Sequence, residues 1–200
     1  VSLLAEADRL DGHRVAASGL AAAGAATPRG VTQVDARYVQ DGKYWTSGTG
    51  SASLDAALAM VGAIAGTAHL QAAMLDLEYD PAPPAFPRRG ETVAEAPIAS
   101  PPPGADPIRI GILVYDGFFT LDAIGPLAML SQLDGVDVRL IRRGESPVVR
   151  SGRTRIQVTP SVADVDALDV LIVPGGADGT WALGQDAEAL AWIRRIDARS

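Results

Sequence analysis

The feature that most constrains this chain is a proline-rich stretch, PAPPAFPRRGETVAEAPIASPPPGADP, at positions 81–107. Nine prolines fall within it. Because proline fixes φ and has no backbone N–H, neither a helix nor a central strand can continue through such a stretch. We interpret residues 87–107 as a semi-extended linker; the alternative is a long ordered surface loop. The chain must therefore build its helices and strands in two segments, 1–86 and 108–200.

The segment after the linker alternates strand and helix patterns. RIGILVYD (109–116) is a continuous apolar run, typical of a strand buried on both faces of a parallel sheet. FFTLDAIGPLAMLSQL (118–133) predicts a helix that Pro126 kinks or begins. Further strands are predicted in VDVRLIRR, RIQVTPS and DVLIVPGG, and a last helix in DAEALAWIRRIDAR. The alternation predicts an α/β fold, a three-layer doubly wound sandwich with a mostly parallel sheet.

The segment before the linker begins with a helix end in VSLLAEADRL and continues with a short strand in RVAAS (14–18). VTQVDARYVQDGKYWTSG predicts a hairpin that turns at Asp41-Gly42, a pair that accepts positive φ. Two helices follow, in SASLDAALAMVGAIAG and TAHLQAAMLDLEYD. We expect Ser51 or Ser53 to cap the first helix and Thr67 to cap the second.

Composition excludes several kinds of chemistry. The chain has no cysteine, so it contains no disulfide, no thiolate metal site and no cysteine nucleophile. A formal charge of -7 disfavours nucleic acid or an anionic membrane as a partner. The two histidines, His13 and His69, have no partner at metal-ligand spacing, so we expect neither a metal nor a cofactor. The longest apolar stretch is too short to span a bilayer and no signal peptide is evident, which favours the cytoplasm.

LDVLIVPGGADG is the most informative stretch for function. A buried strand ends here at Pro174 and is followed by Gly175 and Gly176. Ligands bind beyond the carboxyl ends of parallel strands, where unshielded glycine amides can form an oxyanion hole. The alternative is a tight turn in which two glycines supply positive φ without any function.

Asp122, a few residues after the first strand of this segment, is the second candidate. It should lie at the same edge of the sheet, flanked by Leu121, Ala123 and Ile124. Partial desolvation there raises the pKa of a carboxyl group and suits it to proton transfer. The alternative is an acidic residue that only stabilises the amino terminus of its helix.

The third candidate is WTSGTGSASLD (45–55), in which Gly48, Thr49 and Gly50 form a loop that enters a helix. Helix amino termini bind anions. The stretch lacks the Gly-Lys-Ser/Thr ending of a phosphate loop. The alternative is an ordinary helix start after a hairpin.

Taken together, these residues resemble a known family. GILVYDGFFTLDAIGP and LDVLIVPGG resemble the amino-terminal half of the ThiJ/PfpI superfamily, which has the class I glutamine amidotransferase-like fold. AEADRLDGHRV, DARYVQDGKYWTSG, SASLDAAL and LEYDPAPPAF resemble its carboxyl-terminal half. The isocyanide hydratase-like branch is the most similar in character. The sensor domains of AraC-type regulators share much of the same pattern.

The two halves occur in inverted order. Residues 1–86 correspond to the carboxyl-terminal half of one such domain and residues 108–200 to the amino-terminal half of a second. We expect a window taken from two tandem domains; the alternative is a circular permutant. In the family, the strand and turn that carry the nucleophilic cysteine would lie just before Val1 and just after Ser200.

The resemblance also implies roles for the candidate residues. Asp122 matches the acidic residue that exchanges a proton with substrate beside the cysteine. Gly175 and Gly176 match the glycine pair whose amides face the developing oxyanion, and the loop from Gly48 to Gly50 matches the one that closes the pocket. The family's Thr-His-Trp run is replaced by AASG, with Ser18 in place of the histidine.

The resemblance therefore implies a small-molecule hydratase or lyase-type enzyme that uses a cysteine nucleophile. This chain has no cysteine, so by itself it is expected to be inactive. The alternatives are the ligand-sensing domain of an AraC-type transcriptional regulator and a non-catalytic, stress-related member. The expected partners are a small-molecule substrate or ligand and a homodimeric or tandem-domain neighbour.

Overall fold

The structure is a computed structural model that describes residues 1–16, 30–48, 50–79, 106–176 and 178–199. Most of the predicted linker, together with Ser18 and Thr49, lies outside these residues. The helices are α1 (Ser2–Glu6), α2 (Ser51–Ala65), α3 (Thr67–Asp76), α4 (Thr120–Leu130), α5 (Asp178–Gly184) and α6 (Ala187–Asp197), with a 3₁₀ turn at Val162–Asp164. The strands are β1 (Arg14–Ala16), β2 (Thr32–Val34), β3 (Tyr38–Asp41), β4 (Tyr44–Ser47), β5 (Ile108–Val114), β6 (Val136–Arg142), β7 (Val148–Ser151), β8 (Thr154–Gln157) and β9 (Val170–Ile172).

A parallel sheet of order β6-β5-β9 forms the centre of the second segment. Ile112 and Leu113 in β5 are both fully buried. Because successive side chains of a strand point to opposite faces, burial of both means that the sheet is covered on both faces. Gly111 in the same strand allows Ile141 and Leu168 to pack against the backbone.

Two apolar clusters provide this cover, and both segments of the chain contribute to each. One cluster joins β5 to α1 and α6, and it includes Leu3, Trp192 and Ile196. The other joins β5 to α2 and α4, and it includes Val61 and Met129. The structure is thus the predicted mixed α/β fold with helices on both sides of a mostly parallel sheet.

The two segments pack against each other along these helices. Helix α2 lies along α4, and α1 contacts both α5 and α6. Gly125 of α4 permits this approach, since a side chain there would collide with Leu54 of α2. The residues before and after the proline-rich stretch therefore share one core.

The first segment forms a parallel pair, β1 with β2, and an antiparallel hairpin, β3 with β4. The hairpin turns at Gly42, whose φ is +58°, as the Asp41-Gly42 pair predicted. Gly66 ends α2 with a φ of +85°, which confirms the predicted stop. Among the described residues, no helix is long and apolar enough to cross a membrane.

The capping residues of two helices and the pairing of one strand were predicted wrongly. Gly50, not a serine, is the N-cap residue of α2, and Gly66 rather than Thr67 is that of α3. RIQVTPS forms β8, which pairs antiparallel with β7 instead of joining the parallel sheet. Of the two alternatives for Pro126, the first turn is wrong: Pro126 lies inside α4, so the Asp122 carbonyl four residues earlier cannot accept an N–H from it.

Candidate active site at the carboxyl edge of the sheet

Asp122 lies in the first turn of α4, directly beyond the carboxyl end of β5. The chain turns between strand and helix at Gly117, whose φ is +87°. Phe119 is the N-cap residue in an extended conformation, so the helix begins with Thr120. This short connection brings Asp122 to the edge of the sheet and buries its side chain, which is 6% exposed.

Two backbone amides from distant parts of the chain hold the Asp122 carboxylate. The Gly50 N–H donates to Oδ1 at 3.0 Å, and the Gly175 N–H donates to Oδ2 at 3.2 Å. Gly50 follows β4 and Gly175 follows β9, so the carboxylate joins the two segments of the chain. Three of the residues singled out in the sequence therefore meet at one point.

The environment of this carboxylate acts on its acidity in two opposing directions. Burial raises the pKa of Asp122 above its ordinary value, and the hydrogen bonds from the Gly50 and Gly175 amides oppose the rise. The net direction is upward, as desolvation at this position predicted. A carboxyl group with a raised pKa can both release and recover a proton closer to neutral pH.

The backbone nitrogen of Val1 lies in the same neighbourhood, close enough for the charge of Asp122 to act on it. Helix α1 begins at the next residue. The described chain therefore enters α1 from the immediate vicinity of the candidate acid.

The two glycines after β9 make different contacts. Gly175 gives its N–H to Asp122, and its carbonyl accepts the Phe119 N–H at 2.8 Å. Gly176 forms a bridge with Phe118, and a Cβ at this position would lie 2.5 Å from the Gly117 carbonyl oxygen. Neither glycine has positive φ, so close approach of backbones, and not turn geometry, accounts for Gly176.

The loop before α2 is only partly in contact with the site. Gly50 reaches Asp122, whereas the Gly48 N–H donates to the Arg37 carbonyl at 2.9 Å. The Arg37 guanidinium in turn contacts the Ser51 hydroxyl and the Asp55 carboxylate. Arg37 thus fixes both flanks of the loop that presents Gly50, a role that no sequence motif indicated.

Tyr115 is a second residue that the sequence reasoning missed. It follows β5 directly, and its ring is buried. Its hydroxyl donates to the Pro174 carbonyl at 2.7 Å and lies 3.0 Å from the Thr180 Oγ1. Burial raises the pKa of Tyr115 to about 12, so the phenol keeps its proton. A polar side chain at the end of a buried strand was the signal available in the sequence.

The two histidines lie elsewhere. His13 is 3.6 Å from the Asp41 carboxylate and packs edge-on against Tyr44. His69 Nδ1 contacts the Ala65 carbonyl at 2.9 Å. In the described part of the chain, no three metal-binding side chains come together.

Part of the chain is similar to known proteins. A DJ-1/PfpI family model matches residues 108–199. An isonitrile hydratase from Pseudomonas putida is 36% identical over 93 residues, which cover 46% of this chain and 40% of that protein. The crystal structure of a ThiJ/PfpI family protein from Pseudomonas syringae is 32% identical, with a TM-score of 0.44, over 52% of this chain and 47% of that chain.

The chain thus spans less than half the length of these relatives. The family match begins at β5 and ends just after α6. The matched range includes Tyr115, Asp122, Gly175 and Gly176. Residues 108–199, which match the DJ-1/PfpI family model, carry the acid and the glycine amide that meet at the edge of the sheet.

Proposed function

We propose that this chain is part of a small-molecule hydratase or lyase-type enzyme in which Asp122 exchanges protons with the substrate. The observation that carries the proposal is the buried Asp122 carboxylate with its raised pKa, held by amides from both segments. The name of the Pseudomonas putida relative suggests an isonitrile as the substrate class.

The reaction is the addition of water to an isonitrile, which gives an N-substituted formamide. A thiolate adds to the isonitrile carbon, and the protonated Asp122 carboxyl supplies the proton that this adduct takes up. Water then adds to the same carbon, the thiolate leaves, and Asp122 receives a proton in return. Charge that develops during these steps is stabilised by a backbone amide at the site, for which Gly176 is the candidate, because the Gly175 N–H donates to Asp122.

The cysteine must come from residues outside this chain, which has none. Within the described residues, β9 pairs only with β5, so its outer edge has no partner strand. A strand parallel to β9 along this edge would end at the same level as Gly175, beside Asp122. We place the cysteine-bearing turn at the end of such a strand.

The same proposal interprets the chain as a window from two tandem domains, with a circular permutant as the alternative. Residues 1–86 are the carboxyl-terminal half of one copy, 87–107 the linker, and 108–200 the amino-terminal half of the next. Either neighbour in the intact protein can supply the missing strand. The 200-residue chain by itself is expected to be inactive.

The test is an assay of isonitrile hydration with the intact gene product, comparing Asp122→Asn with the parent. Loss of a general acid–base residue lowers kcat about 10²- to 10⁴-fold. Asp134→Asn is the matched control, because Asp134 lies exposed in the loop before β6. Equal turnover by the parent and Asp122→Asn removes Asp122 from the mechanism, and turnover by the 200-residue chain refutes the need for an external cysteine.

A further inference from the structure

One peptide group connects Tyr115 to the candidate acid. The carbonyl of Pro174 and the N–H of Gly175 belong to the same peptide bond. The carbonyl accepts the Tyr115 hydroxyl at 2.7 Å, and the N–H donates to Asp122 Oδ2 at 3.2 Å. The C=O and N–H of a trans peptide point in opposite directions, so this peptide plane is held from both sides.

The Tyr115 hydroxyl is itself oriented. It has a single proton, which it gives to the Pro174 carbonyl, so the Thr180 hydroxyl at 3.0 Å is the donor to the phenolic oxygen. The ring is 3% exposed and packs edge-on against Phe118, which leaves it little freedom to rotate. Thr180, Tyr115, the 174–175 peptide and Asp122 thus form one chain of hydrogen bonds, in which each bond polarises the next.

The opposite orientation of the peptide is unfavourable at both ends. It would direct the Pro174 carbonyl oxygen toward the Asp122 carboxylate, where two acceptors face each other. It would also direct the Gly175 N–H toward a phenolic oxygen that already accepts from Thr180. Tyr115 therefore selects the orientation in which the amide faces Asp122.

We propose that Tyr115 is a positioning residue that acts on Asp122 through the 174–175 peptide, keeping the Gly175 amide directed at the carboxylate and so limiting the affinity of Asp122 for its proton. The inference rests on the proposed function only in that it concerns the same acid. It assigns the tyrosine after β5 a part in setting the pH range of proton exchange.

The experiment is an NMR titration of the isotope-labelled 200-residue chain. The amide protons of Gly50 and Gly175 and the carboxyl carbon of Asp122 should all change chemical shift with one midpoint, because both amides donate to that carboxylate. In Tyr115→Phe, the response of the Gly175 amide should fall at least twofold, while that of Gly50 remains. The midpoint of Asp122 should rise, since the charged form loses a donor.

The matched control is Tyr44→Phe, which removes a tyrosine hydroxyl that donates to Asp197 at another site. It should leave the Asp122 midpoint and both glycine responses unchanged. If Tyr115→Phe does not fold, Thr180→Val tests the same chain of bonds without altering the buried ring, and it should raise the midpoint by a smaller amount.

An unchanged Gly175 response and Asp122 midpoint in the folded Tyr115→Phe variant, or in Thr180→Val in its place, would overturn the inference. The titration does not depend on turnover. A failure here leaves the hydratase proposal standing, and inactivity of the intact protein leaves the Tyr115 inference standing.

Discussion

Asp197 offers the sharpest test of whether the two segments fold as one unit. Its side chain, at the carboxyl end of α6, is 14% exposed and accepts the Tyr44 hydroxyl at 3.1 Å. Arg9 and Lys43 contact the same carboxylate at 3.3 and 3.1 Å. All three partners lie before the proline-rich stretch, so Asp197→Ala removes a polar connection between the segments.

The magnitude follows from the exposure of each partner. A hydrogen bond to a charged group contributes about 1.5–3 kcal/mol, and each pair with the more exposed Arg9 and Lys43 adds roughly 0–1 kcal/mol. Removing an acidic side chain from a helix carboxyl terminus returns about 0.3–1 kcal/mol. We expect a net loss of about 2 kcal/mol in the free energy of unfolding, which corresponds to a decrease of roughly 4–8 °C in Tm for a chain of this size.

Urea and thermal unfolding measure the loss, and hydrogen exchange locates it. The amides of the β3–β4 hairpin should exchange faster in the variant, whereas those of β5 and β6 should not change. Asp137→Ala is the matched control, because Asp137 also pairs with an arginine, Arg139, but within one strand and with the arginine 56% exposed. Its loss should stay below about 1 kcal/mol. Equal losses in the two variants, or unchanged exchange in the hairpin, would refute the connection through Asp197.

Two further predictions concern the site. Gly179→Ala should destabilise the protein by about 1–3 kcal/mol, because its Cβ would collide with the Asp116 carbonyl. The control is Gly62→Ala in α2, where only the Leu70 side chain lies near the new Cβ, and this variant should be neutral or stabilising. Thermal unfolding measures both variants, and the reverse ranking would contradict the packing. Since the pKa of Asp122 is raised in the folded state, the stability that its protonated form contributes is complete below the unfolded pKa of about 3.9 and is lost as pH rises through the folded value. Asp122→Asn cannot titrate at this position. Between about pH 4 and about pH 7, the free energy of unfolding of the parent should therefore decrease relative to that of the variant, as measured by urea titrations. A difference between the two proteins that stays constant with pH would contradict the raised pKa.

Local patterns predicted those parts of the fold that local physics decides. The buried strand β5 follows from an uninterrupted apolar run, because only a strand covered on both faces needs one. The hairpin follows from Asp41-Gly42, and the end of α2 from Gly66, because both glycines have positive φ. The location of Asp122 at the edge of the sheet also follows from its position after β5.

The errors in prediction come from partners that the local residue pattern does not identify. Ser51 and Ser53 are good capping residues, yet the Ser51 hydroxyl accepts from Arg37 and that of Ser53 donates to the Gly50 carbonyl. RIQVTPS has the composition of a strand, but β7 pairs with it antiparallel, and a short apolar run does not indicate its partner.

The amino-acid sequence by itself determined the kinds of element, their order, and an acid at the end of a buried strand, because propensity and periodicity act over a few neighbouring residues. Only the tertiary structure decided which groups hold that carboxylate and how strongly it is buried. The amides of Gly50 and Gly175 lie 72 and 53 residues from Asp122 along the chain. A backbone N–H looks the same at every position of a sequence, so its direction, and the burial that raises the acid's pKa, exist only once the two segments have packed together.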